Sequence, residues 1–159
     1  MPEEKGQIVA YDFLIGMLIF LVVFGFVQAK WQETENAMES QSLELELKRN
    51  TVNEAEKLVS TPGRPGNWES DPAGASEVGF AVYPGKIVKE KLSAFGLLDY
   101  DSQKKKMGLE QYGFYLKVEQ EKTSFETGID SNSGRAYSTQ RVVEYNGKPA
   151  RLSLKLYRK

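Results

Sequence analysis

Ile8 to Val27 reads IVAYDFLIGMLIFLVVFGFV, twenty residues with a single charge, Asp12. At about 1.5 Å of rise per residue this run covers the roughly 30 Å hydrocarbon core of a bilayer. It reads as a spanning helix, with flanks that extend the segment to residues 7–30. The competing reading is a cleaved secretory signal, which has a basic start, a shorter apolar region and a small-x-small exit. Here the chain opens Met-Pro-Glu-Glu-Lys and leaves the apolar run through Val27-Gln28-Ala29-Lys30-Trp31. Trp31 beside Lys30 has the chemistry of a membrane-interface anchor. The helix is therefore expected to stay on the protein, with membrane lipid as its partner.

Asp12 is the residue that does not fit a plain anchor. A carboxylate at mid-bilayer costs about 2.5–3.5 kcal/mol on insertion scales, and less toward an interface. Lying little more than a turn inside the Gln7 end, it is either a group at headgroup depth or a carboxylate kept for a partner cation. Lys5 and Lys30 lie on opposite sides of the span. The positive-inside rule thus gives no orientation.

Beyond the span, residues 31–60 (WQETENAMESQSLELELKRNTVNEAEKLVS) contain no Gly or Pro and are rich in Glu, Leu and Lys. Such a composition continues a helix. Met38, Leu45, Val52 and Val59 recur every seven residues, with Leu43 and Leu47 off that stripe. Four apolar positions at one heptad site make a poor coiled coil, so this face is expected to pack on the protein's own head. An unbroken helix from Ile8 to Ser60 would be on the order of 80 Å long.

Two prolines and two glycines within Thr61-Pro62-Gly63-Arg64-Pro65-Gly66-Asn67-Trp68 end the helix and open a head at 61–159. Trp68 is expected to tuck into that head. Val78 to Val82 reads as a buried strand, Pro84-Gly85 as a turn, and Lys86 to Phe95 as a helix. A short helix from Ser102 to Met107 would take Asp101 as its cap. Gly113 to Glu119 alternates Phe114, Leu116 and Val118 with polar residues. Ala136 to Tyr145 and Ala150 to Tyr157 flank Asn146-Gly147, a strong hairpin signal, with Leu152, Leu154 and Leu156 on one face. A two-residue turn sets Arg141 opposite Leu152, which leaves the register open, and Pro149 suits an edge or a bulge.

The chain has no His and no Cys among its 159 residues. This removes disulfides, thiolate and imidazole catalysis and the common zinc ligand sets. No Ser/Lys or paired-carboxylate site is singled out by spacing, so neither an enzyme nor a cofactor is expected. Asp130-Ser131-Asn132-Ser133-Gly134 opens like a calcium loop, but Arg141 stands where the late bidentate acid belongs, and a plain turn is the expectation. The Lys104-Lys105-Lys106 run reads as a wet face rather than a nucleic-acid patch. Residues 31–56 carry seven acids against two bases, net −5, while residues 57–159 carry 17 bases against 12 acids, net +5. These are either ordinary solvated faces or a stalk and head that attract each other.

Lys5-Gly6-Gln7 followed by an apolar helix with an acid near its start resembles the signal of type IV pilin-like proteins, particularly those with an archaeal class III signal peptide. The resemblance implies a leader of residues 1–6, cut by a prepilin peptidase between Gly6 and Gln7. It also implies that Asp12 pairs with the freed amine of another pilin-like subunit. Asp12 would be the sixth mature residue, where the family has its acid at the fifth. It further implies an N-terminus inside the cell and a C-terminal domain outside. Leu58-Val59-Ser60-Thr61-Pro62-Gly63 with Asn67-Trp68, Tyr112-Gly113-Phe114-Tyr115-Leu116, and Tyr145-Asn146-Gly147 with Ala150-Arg151-Leu152 extend this similarity to archaeal anchored proteins with a small sheet head. The expectation is an α+β protein: a transmembrane and stalk helix, then an antiparallel-sheet head, acting as a structural or adhesive subunit of a surface assembly. The alternative is a monomeric, single-pass anchored binding module.

Overall fold

The computed structural model describes residues 3–121, 123–131 and 134–158, with residues 3–10, 12, 36, 37, 39 and 40 given by their backbone alone. It is an α+β protein with a long N-terminal helix followed by a mostly antiparallel sheet. The helix α1 spans Glu3–Ser60. Two compact units divide the chain, residues 1–43 and residues 44–159. Where the sequence reading starts the head at residue 61, the second unit thus takes in the last four turns of α1.

The helix face that enters the head core is Leu47, Thr51, Glu54, Ala55, Leu58 and Val59. Its spacing of three and four is that of a straight helix. The expected seven-residue stripe is corrected here: of its members only Val59 is buried, while Met38 and Leu45 are 65% and 60% exposed. A strict heptad drifts by about 20° per repeat around an uncoiled helix, and Leu47, off the stripe, is the residue that packs. The Thr51 hydroxyl is satisfied inside the helix by donating to Leu47 O at 2.7 Å. The last helical carbonyls are met by a segment some twenty residues further on: Phe80 N–H donates to Leu58 O at 2.8 Å and Gly85 N–H to Val59 O at 2.8 Å.

The break after Ser60 is not a plain loop. β1 (Gly63–Arg64) pairs antiparallel with β2 (Glu77–Val78). Between them a 3₁₀ turn, Trp68–Ser70, carries the fully buried Trp68, whose Nε1 donates to Gly79 O at 3.0 Å. Trp68 therefore tucks into the head as expected. The single strand expected over Val78 to Val82 is instead interrupted, with β3 confined to Ala81–Tyr83. At Gly79 the chain passes so close to Thr61 that a Cβ would lie 2.2 Å from the Thr61 carbonyl oxygen, and Phe80 spends its N–H on α1.

After the Pro84-Gly85 turn, Lys86–Ile87 form β4 rather than the first turn of a helix; α2 is Lys89–Gly96 with Val88 extended before it. Ile87 is held out of the helix by pairing with Ala81 on one side and Tyr145 on the other. α3 is Tyr100–Met107, capped by Asp99 and not by Asp101: the Asp99 carboxylate accepts Ser102 N–H at 3.0 Å. Then come β5 (Gly113–Gln120), β6 (Thr123–Gly128), β7 (Arg135–Tyr145) and β8 (Lys148–Arg158). The sheet order is β3-β4-β7-β8-β5-β6, antiparallel except between β4 and β7.

Asn146 (φ 51°) and Gly147 (φ 74°) both have the positive φ of a type I′ turn. The register does place Arg141 opposite Leu152. Arg141 is accommodated because its guanidinium reaches past the core to Glu56 of α1 at 3.1 Å. Pro149 lies beyond Arg151, the last β8 residue paired with β5, so its missing N–H removes no ladder bond on that side. Leu152, Leu154 and Leu156 are fully buried with Phe114 and Leu116 of β5, under Leu58, Phe80 and Phe95.

Candidate functional site

The residues expected to carry function lie on α1. Phe13–Glu35 is a 23-residue stretch long and apolar enough to cross a membrane, and none of its most apolar window is covered by the rest of the protein. At 1.5 Å per residue it measures about 34 Å. A core helix of a water-soluble fold would bury one face, and this one buries none. Phe20 and Phe24, one turn apart, stack with centroids 5.9 Å apart.

At the polar end of this stretch, Lys30 Nζ lies 2.7 Å from Glu33 Oε2, and Trp31 Nε1 donates to Glu35 Oε1 at 2.9 Å. Both partners are on the outgoing turn. The indole is thus held with its N–H toward polar groups and its ring exposed, the arrangement that suits a headgroup layer. Gly6, Gln7 and Asp12 fall in the first turns of α1. The peptide expected to be cut, Gly6–Gln7, is therefore helical backbone, while the side chains of these residues lie outside the described ones.

In the head, the sequence-singled groups have mainly structural partners. Of the lysine run, Lys106 Nζ donates to Ala73 O at 2.9 Å and Ala75 O at 2.7 Å, and Lys104 Nζ sits 5.7 Å above the Tyr100 ring. Lys106 thus ties α3 to the segment before β2 rather than only facing water, and Lys104 covers a ring of its own helix. In the calcium-like loop, Asp130 is engaged by Lys155 Nζ at 2.7 Å, while Asn132 and Ser133 lie outside the described residues. Among the described residues, the part of α1 from Glu44 onward meets the basic head at several charged and polar pairs. Besides Glu56 with Arg141, Tyr112 Oη donates to Glu46 at 3.0 Å, and Lys48 Nζ lies 5.8 Å over the Tyr137 ring.

Two buried charges were not anticipated. Lys91, 2% exposed, donates to Gly66 O at 2.7 Å and to Pro62 O, with Glu69 Oε2 at 3.8 Å. Burial pulls its ammonium below the ordinary lysine range, and Glu69 works against that shift. Its work is to gather the carbonyls of the loop that follows α1. Glu54, buried in the helix face, pairs with Lys57 at 2.9 Å through one oxygen, while the other has no hydrogen-bond partner among the described residues. Burial pushes this carboxyl above the usual carboxylate range against the opposing pull of Lys57. Helix spacing alone could have flagged Glu54 and Lys91 as inward positions; their partners come from loops whose path no periodicity reveals.

The arrangement defines a class: a helix able to span a membrane joined to an α+β head, a layout compatible with that of pilin-like proteins. No family model, no curated protein and no solved structure matches the chain.

Proposed function

We propose that this is a membrane-anchored surface protein of pilin-like design, a structural or adhesive subunit of a surface assembly with its head outside the cell. The observation that carries the reading is the uncovered apolar helix Phe13–Glu35. Each large apolar side chain transferred from water to lipid is worth about 1.5–3 kcal/mol, so this helix is driven into a bilayer or against helices like itself. The head has its own core, and its role in this reading is to present a surface rather than to catalyse. In the same reading a prepilin peptidase cuts after Gly6 and the new amine of Gln7 pairs with Asp12 of a neighbour. That self-contained core also favours a second reading, a monomeric anchored module that binds through its head.

The test is the intact mass of the protein recovered from its native membrane, together with the membrane and sheared-fibre fractions of wild type and Asp12→Leu. Cleavage after Gly6, with fibres from wild type and none from Asp12→Leu, is the expected result. Insertion itself is spared because the substitution removes a costly group from lipid. A chain still beginning at Met1 or Pro2 would sink the prepilin reading, and absence of fibres from wild type would favour the monomeric module.

A further inference from the structure

The six-stranded sheet has an open border inside its own outline. β7 runs for eleven residues, yet β4 covers it only at Glu144 and Tyr145. Tyr145 and Lys148 close the two-residue turn, so the even-numbered residues of β7 direct their backbone groups away from β8. Glu144 shows this, its N–H reaching Gly85 O at 2.7 Å. Next in the same series are Val142, Gln140, Ser138 and Ala136, whose N–H groups meet no backbone partner among the described residues. Gln140 O takes a bond from the Arg141 side chain at 3.0 Å. All four residues are exposed, Val142 at 81%, and none is charged.

Sheet borders are ordinarily guarded by lysines, prolines, bulges or a covering segment. Ala136, Ser138, Gln140 and Val142 supply none of these. The flank of α1 beside this border is also unfilled. Lys48 over Tyr137 and Glu56 on Arg141 show that this flank faces β7. It carries the exposed Leu45 and a hollow of about 290 Å³ lined by Leu45, Lys48, Arg49, Val52 and Asn53. A strand added to β7 would find apolar groups beside it as well as hydrogen-bond partners.

We propose that the β7 border accepts a strand from a second copy of this chain, and that this strand is β6, a proposal that rests on reading the protein as an assembly subunit. β6 is the opposite outer strand of the same sheet. Gln120 and Thr123 close its turn with β5, so Ser124, Glu126 and Gly128 direct their backbone groups outward. From β7 through β8 and β5 to β6 the chain reverses three times, so β6 runs antiparallel to β7. A neighbour displaced sideways without rotation, its anchor pointing the same way, therefore presents β6 antiparallel to the open β7 border. The outward sets of both strands have their side chains on the same face, so the pleats match. Glu126 would meet no acid at the four border positions, and the residue paired with Val142 on β8 is the exposed Arg151. Each copy offers one accepting and one donating border, so the contact propagates as an open row.

The chain has no Cys, so introduced thiols are the only ones present. Ser124→Cys is combined with Gln140→Cys in one full-length protein and with Val142→Cys in another, and native membranes are oxidised mildly. Within one copy the paired sites are three strand spacings apart, about 14 Å, beyond the roughly 7 Å that a disulfide tolerates. Any bond therefore joins two copies. A ladder of dimers, trimers and higher species from at least one pair is the expected result. It should fall at least tenfold with Ser138→Pro, which removes an N–H that the head's own ladder does not use, and with Ser138→Lys, which adds a charge guard. Fibres without a ladder from either pair would overturn the proposal and leave the assembly reading standing. Dimers alone, given equally by Gln140→Cys without a second thiol, would mean that β7 pairs with itself and would overturn the assignment to β6. Neither ladder nor fibres would overturn both.

Discussion

Cutting the chain at residue 61, where its sequence stops reading as helix, should yield a fragment that does not fold, whereas a cut at residue 44 should yield one that does. Residues 44–60 place Leu47, Leu58 and Val59 in the head core, with exposures of 4%, 0% and 4%. At about 1.5–3 kcal/mol for each buried side chain, these three contribute roughly 5–9 kcal/mol. A domain of this size has about 5–15 kcal/mol of net stability, so their loss removes most or all of it. The cut also exposes Phe80 and Gly85 N–H groups that now end the helix. Trp68, fully buried, is the only tryptophan in either fragment. Fragment 44–159 should show blue-shifted emission and a single cooperative urea transition; fragment 61–159 should show red-shifted emission and none. Within the longer fragment, Leu58→Ala should lower stability by about 2–5 kcal/mol. A cooperative transition of 61–159 at the same midpoint as 44–159 would refute the reasoning.

Gly147→Val should lower the melting temperature of the longer fragment by roughly 5–10 °C, because a β-branched residue at φ 74° costs about 1–2 kcal/mol and the site has no steric conflict to add. Gly147→Asn should lose far less, and an unchanged midpoint for valine would place the turn elsewhere. Glu54 gives a pH dependence of opposite sign to a surface carboxylate. Its folded value lies above the ordinary 4.5, so the folded head holds a proton that the unfolded chain releases, and stability falls as pH rises from 4.5 through that raised value. Glu54→Gln should remove this slope. The stability of wild type minus that of the variant, followed by urea denaturation from about pH 4 to 8, should decline with pH, and a flat difference would reject the account.

The parts of the fold that were legible are those in which one local pattern decides the outcome. Twenty nearly uncharged residues make a helix regardless of their neighbours, and Asn146-Gly147 between two alternating runs makes a hairpin. The register of that hairpin follows from its turn length, although it seats Arg141 on the core side. What misled was the choice between faces. Val59 belongs both to the seven-residue stripe and to the true face through Leu47 and Leu58, and the sequence does not say which set meets the sheet. β6 carries only Phe125 among polar residues and Gly, so it has no alternation to detect. Lys86 and Ile87 fit the helical spacing of α2 but are claimed by β3 just before them and by β7, distant in sequence. The long apolar stretch of α1 was readable because its chemistry is local. The open β7 border was not, because it is a property of how little β4 covers.

β8 follows every strand it joins, and it lies between β7 and β5 near the middle of the sheet. During synthesis β5, β6 and β7 therefore emerge before the strand that connects them. Until Leu152, Leu154 and Leu156 arrive, the α1 face and the β5–β6 hairpin have no shared core to close on. Folding of the head is consequently a late and collective event, and a nascent chain halted before β8 displays two bare strand borders and an uncovered apolar face. Chains in this state are the ones most exposed to pairing with each other in the wrong order. A cell that makes this protein in quantity would gain from shielding the nascent head until that last strand has been made.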